Sequence, residues 1–217
     1  MTRSKAGTDR PRRRYAQRLP PAARREQLLD AAFDVLGRSE LHELSMEAVA
    51  AQADVGKPVL YTVFRTRAEL VAALLERERT CAFQQVQEVL PTDLRELGPA
   101  GAYSATVVGF VRLVVENPTR WRLILTVPAS APSEYRDGLR ESYGTVLQQA
   151  EALAYMGIAL DRRLAALDPQ LLARSMLTFA EMSGRLAVSD PTTYSVERLT
   201  GFAQAALALL TDAPLKP

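Results

Sequence analysis

The sequence predicts an all-α protein, with a small three-helix amino-terminal unit and a larger helical carboxy-terminal one. Three observations predict it. Apolar residues recur at helical spacing in every long segment, no alternating apolar-polar run marks a half-buried strand, and prolines and capping residues fall where helices would begin. The one stretch with strand-like propensity, Val59 to Phe64, follows a proline that fits only the first turn of a helix.

Composition narrows the class. With 217 residues and 47% hydrophobic side chains, the chain can bury a sizeable core. One Cys rules out an internal disulfide framework, and one His beside it leaves no zinc-ligand set, so a reducing, cytoplasmic setting is the default and no cofactor or metal is expected. No apolar segment follows the positive amino terminus, and no run approaches the roughly 18 apolar residues of a membrane span. Secretion and membrane insertion are therefore not expected. Net charge is +2, but residues 1–25 hold nine basic groups against Asp9, which leaves 18 basic and 24 acidic groups, a net of −6, on the rest. That asymmetry points to a polyanion-binding arm on an acidic body, with a solubilising tail as the alternative.

Each element has its own justification. Pro20-Pro21 ends the basic arm of residues 1–20, and Pro21 suits the first position of a helix carrying Leu28, Leu29, Ala32, Phe33 and Leu36, with Gly37 as an αL stop. Ser45 caps a second helix, with Glu47 in its first turn and Met46, Val49, Ala50 and Ala53 on its apolar face. After 54-DVG-56, Lys57-Pro58 restarts the helix, and Thr66 with Glu69 forms a capping box for a long helix reaching about residue 90. The Pro/Gly-rich stretch 91–101 reads as a boundary. Beyond it, Tyr103, Val107, Phe110, Val111 and Val114 share a helical face. Asn117-Pro118 caps a short helix, residues 134–156 form another, Asp168-Pro169 caps one to about 187, and 193–211 completes the set.

The chemistry lies in residues 45–64. Two short helices joined by a tight turn form a helix-turn-helix, whose second helix enters a DNA major groove. Ala50 is small at the crossing, Asp54 is one of the few non-glycine residues that tolerates a left-handed turn, and Val55 and Leu60 hold the interhelix angle. With Pro58 fixing the start, Leu60 and Phe64 share the buried side. Lys57, Val59, Tyr61 and Thr62 then face outward, suited to phosphates and base edges. An arginine-rich arm beside such a module lies in the minor groove or along the backbone, a role assigned to Arg12, Arg13 and Arg14.

Segments 24-RREQLLDAAFDVL-36, 45-SMEAVAAQADV-55 and 60-LYTVFRTRAEL-70 resemble the tetracycline-repressor-like (TetR) transcriptional regulators, over about residues 24 to 75. Four positions depart from that pattern: Asp54 for the usual Gly, Gly56 for Ser, Val59 for Thr and Arg67 for Lys. The resemblance implies that Ser45, Tyr61 and Arg67 bind phosphates, and that Lys57, Val59 and Thr62, on a helix opened by Pro58, face bases or neighbouring phosphates. It implies a DNA-binding domain over residues 21–75, an effector-binding and dimerisation domain over 76–217, and a ligand-responsive repressor acting as a homodimer on a palindromic operator.

In the second half, 171-LLARSMLTFAEMSGRLA-187 and 202-FAQAALALL-210 are apolar on more than one face, so they need a partner surface. A twofold dimer is expected there, built on Ser175, Phe179, Met182, Ser183, Leu186, Phe202, Ala206 and Leu209, as the resemblance also implies. Tyr103, Phe110, Trp121, Leu125, Tyr143, Met156 and Met176 lie where similar regulators hold an apolar pocket, and together suit a small apolar or aromatic effector. Cys81 and His42 read as inert packing and as a loop residue. Glu181 and Arg185 read as a surface pair, or as a charge orienting a ligand or crossing the dimer.

No phosphate-cradling glycine loop, nucleophile elbow or catalytic His set occurs, which disfavours an enzyme. The rival from another class is a helical adaptor whose basic tail binds nucleic acid or membrane without sequence preference. It predicts binding without a palindrome.

Overall fold

Pro21 opens helix α1 (Pro21–Leu36), and Ser45 opens α2 (Met46–Gln52) by accepting a hydrogen bond from the Ala48 N–H at 3.1 Å. A computed structural model describes residues 19–91 and 94–212 of the chain, with backbone alone from 207 onward. The arm carrying Arg12, Arg13 and Arg14 lies outside the described residues, as does the side chain of Leu209. The remaining helices among the described residues are α3 (Lys57–Val63), α4 (Arg67–Val89), α5 (Leu94–Glu116), α6 (Pro118–Leu125), α7 (Ser133–Leu160), α8 (Pro169–Ser189) and α9 (Val196–Asp212). Single 3-10 turns at Leu41–Glu43 and Arg162–Leu164 escaped the periodicity, being too short to show one.

Two apolar clusters organise the helices. The first packs Leu28, Ala32 and Leu36 of α1 against Val49, Ala50, Leu60, Phe64, Leu70 and Leu74, and takes in Leu123 of α6 and Tyr135 of α7. The second packs Val107, Phe110, Val111 and Val114 of α5 against Ala82, Trp121, Ala187, Leu199 and Ala203. Helix α4 serves both, so the change of core occurs inside one continuous helix. Within the expected boundary at 91–101 the chain runs helical from Leu94, breaks at Gly98 (φ 67°, ψ 164°), and restarts at Pro99. Only Gly adopts that backbone without strain.

Three local expectations are corrected. Gly37 stops α1 in a right-handed conformation (φ −60°, ψ −19°), because its N–H already finds the Phe33 carbonyl at 3.0 Å. Thr66 caps α4 through the Glu69 N–H at 3.1 Å, but the Glu69 carboxylate returns to the Arg65 N–H at 2.9 Å, one residue before the box position. Asn117 occupies the cap of α6 without a side-chain hydrogen bond, leaving Pro118 to set the start. One more correction concerns hydropathy: Leu94–Glu116 is long and apolar enough to cross a membrane, with mean hydropathy 1.3. Gly98-Pro99 interrupts it, and its apolar face is spent on the second core.

Candidate DNA interface and effector cavity

The turn between α2 and α3 is built as its residues demand. Asp54 is the one described non-glycine residue at positive φ (51°), and the next N–H, that of Val55, reaches back to the Ala50 carbonyl at 3.0 Å. Gln27 of α1 donates to the Ala53 carbonyl at 3.0 Å, tying the end of α2 to the first helix. Leu60 and Phe64 are fully buried, and the Arg25 guanidinium covers the Phe64 ring at 4.7 Å. Gln27 and Arg25 carry no sequence signal for these roles, since both partners lie more than a helix away in the chain.

What remains on α3 is an exposed face. Tyr61 keeps 45% and Val59 38% of its surface, and Lys57, Pro58 and Thr62 are exposed beside them. Lys57 Nζ stands 2.8 Å from Glu47 Oε1. That hydrogen bond holds the Glu47 carboxyl below its ordinary range and raises the Lys57 ammonium. The Thr62 hydroxyl donates to the Val59 carbonyl at 2.6 Å, leaving oxygen lone pairs and the methyl outward. Ser45 is half-buried at its cap. Arg67 is engaged inside the protein: Nε donates to the Leu44 carbonyl at 2.5 Å, and Nη2 to those of Leu41 and His42 at 2.6 and 3.3 Å. Its guanidinium thus holds the segment that leads into the Ser45 cap.

Between α4, α5, α7 and α8 lies a cavity of about 750 Å³ with an almost wholly apolar wall. Six of the seven expected pocket residues line it: Tyr103, Phe110, Trp121, Leu125, Tyr143 and Met176. Met156 does not. It sits 49% exposed on the outer face of α7, while Leu153 and Gly157, on neighbouring turns, face inward. Phe83, Val86, Leu139, Val146, Leu153 and Phe179 are also part of the wall. Along α7 the lining recurs every three or four residues from Arg136 to Asp161, a length of about 37 Å at helical rise. The space is therefore a channel rather than a sphere. Trp121 and Phe110 meet edge to face with ring centres 5.0 Å apart, and the Tyr103 hydroxyl donates to the Met176 carbonyl at 2.9 Å. Burial pushes that phenol's pKa up, so it stays a donor.

The expected dimer residues divide. Met182 (42%) and Phe202 (60%) are exposed, Phe202 stacking on Phe179 at 5.8 Å, and Leu186 shares with them a shallow surface pocket. Ser183 is fully buried, its hydroxyl donating to the Phe179 carbonyl one turn back at 2.9 Å, and it lies at the base of that same pocket. Ser175, Phe179 and Ala206 line the cavity. Glu181 and Arg185 pair at 3.3 Å on the cavity wall.

A tight two-helix turn with an exposed second helix, joined through α4 to a cavity-bearing bundle, defines an all-helical protein of the helix-turn-helix class. Residues 28–74 match the family described as bacterial regulatory proteins, tetR family. The transcriptional activator FasR of Mycolicibacterium smegmatis is 34% identical over 127 residues, 57% of this chain and 56% of that protein. The chain thus spans little more than half the length of this curated relative. A TetR-like regulator from Rhodococcus sp. RHA1 shares the fold at a TM-score of 0.68 and 22% identity, over 91% of this chain and all of that one. The regulator FadR from Bacillus subtilis, solved with stearoyl-CoA, shares it at 0.62 and 16% identity, over 86% of this chain and 97% of that one.

Proposed function

We propose that the chain is a cytoplasmic, sequence-specific transcriptional repressor that binds a palindromic DNA operator as a homodimer and is released by a long apolar effector. The observation that carries the DNA reading is α3. Pro58 and the left-handed Asp54 fix where that helix starts and how it crosses α2, leaving Lys57, Val59, Tyr61 and Thr62 as its one outward face. Val59 and the Thr62 methyl suit thymine methyl groups, while Lys57 and Tyr61 suit phosphates or base acceptors. Met182 and Phe202 supply the exposed apolar surface for a second copy. The channel shape favours a ligand with an extended hydrocarbon chain, a class to which the stearoyl-CoA bound by the B. subtilis protein belongs.

Because α4 contributes to both cores, an effector that favours one tilt of α4 changes the separation of the two recognition helices and hence DNA affinity. Activation in place of repression is the second reading, favoured by the name of the M. smegmatis relative. A footprint on the DNA flanking the protein's own gene tests the proposal: a twofold-symmetric protected site is expected. Lys57→Ala and Tyr61→Ala, both at exposed positions, should each weaken it by about tenfold with the fold intact. Uniform binding without a protected site would instead establish the non-specific adaptor, and a reporter carrying the site gives the sign of regulation.

A further inference from the structure

We propose that one end of the channel is a subsite for an anionic head group, a carboxylate or a phosphate, formed by Arg79, Arg136 and Arg140. This rests on the reading of the cavity as the effector site and adds the polarity of its ligand. The three arginines belong to the same stretch of the wall: Arg136 and Arg140 stand one turn apart on α7, and Arg79 of α4 reaches that stretch, donating to the Ser142 hydroxyl at 2.6 Å and the Gly138 carbonyl at 3.4 Å. All three line the cavity, as do Ser142 and Tyr143. Arg136, Arg140 and Tyr143 are also exposed, which makes this end a mouth.

The charge inventory points the same way. Arg79 pairs with Glu76 at 2.6 Å and Arg140 with Asp137, while Arg136 donates to the Ala131 carbonyl at 2.9 Å and acts weakly on Glu134. Neither Glu76, Asp137 nor Glu134 lines the cavity, so the lining here presents only guanidinium and hydroxyl donors to a ligand. The Arg140–Asp137 pair is largely exposed and therefore weak, leaving its guanidinium available to a better-placed anion. Elsewhere on the wall Arg185 pairs with Glu181, which lines the cavity beside it, and the far end of α7 presents the Asp161 carboxylate, paired with Arg163. An amphiphile in this channel is thus oriented: its anionic head at the arginine mouth, and its tail running along α7 toward Leu164 and Leu172.

Trp121 is the chain's single tryptophan and forms part of the wall, so its fluorescence reports occupancy directly. The full-length protein is titrated with dodecanoate, dodecyl phosphate and dodecanol. Both anions should bind about tenfold or more tighter than the alcohol. In Arg136→Gln/Arg140→Gln that preference should vanish while dodecanol stays within about twofold of the parent. Arg185→Gln, a cavity arginine at the other wall, should keep the preference. Whichever anion binds tighter tells carboxylate from phosphate. Equal affinity for all three probes, or the same loss in Arg185→Gln, overturns the subsite while leaving the apolar effector reading intact. Failure of every probe to perturb Trp121 overturns both.

Discussion

Replacing Glu78 with Ala removes a carboxylate that is only 1% exposed, at the point where α1, α4 and α6 meet. Its Oε1 lies 2.9 Å from Arg77 Nη2, and its Oε2 lies 2.7 Å from Arg120 Nε. Arg77 reaches on to Asp30 and Glu26 of α1 at 2.7 and 3.3 Å. Although burial works against its charge, Asp30 and Glu78 raise the Arg77 pKa on balance. Breaking a buried pair costs about 3–5 kcal/mol, because the remaining charge loses its partner. Here the low end applies, about 3 kcal/mol, since the Arg77 and Arg120 side chains keep 21% and 16% exposure and can turn toward water. For a chain of this size that is a fall in Tm of roughly 6–12 °C at fixed protein concentration. Glu78→Gln keeps shape and hydrogen-bonding capacity and should lose less, about 1–3 kcal/mol. The double change Glu78→Leu/Arg120→Met, which removes both charges, should return to within about 1 kcal/mol of the parent. Urea unfolding followed by circular dichroism measures all three. A loss under about 1 kcal/mol in Glu78→Ala, or a double variant as unstable as the single one, would refute the view that this carboxylate ties α4 to α6.

Other substitutions test the turn, the cavity and the arm. Asp54→Val should lower stability by about 1–2 kcal/mol, because a β-branched residue resists the left-handed backbone, whereas Asp54→Gly should be neutral or stabilising in the same urea experiment. In Gly184→Ala the new methyl would lie 2.8 Å from Leu125 Cδ1 and 2.9 Å from Phe110 Cε1, both cavity-lining. These side chains must shift, at a cost of about 1–3 kcal/mol, and the space open to them is the channel. Dodecanoate affinity, read by Trp121 fluorescence, should fall in that variant. Deleting residues 1–18 should flatten the dependence of log DNA affinity on log salt, and an unchanged slope would remove the arm from the DNA contact.

Local signals determined much of this protein from sequence alone. Pro21, Pro58, Pro118 and Pro169 mark helix starts, Ser45, Thr66 and Asp168 cap them, and Asp54 sits at the left-handed turn, because each acts on backbone within four residues of itself. Helical periodicity identified the apolar faces equally well, Leu60 and Phe64 among them. Tertiary structure alone decided what covers each face. Met156 turned outward, and α4 passed from one core to the other without a linker. The polar partners were equally hidden: Arg67 finds carbonyls 23 and 26 residues away, Glu78 finds Arg120 across 42, and Arg79 finds Ser142 across 63. A side chain's chemistry and spacing state what it can bond and on which face it lies. Which donor or wall arrives opposite is set by how α1, α4, α6 and α7 cross, and no stretch of the chain encodes that crossing locally.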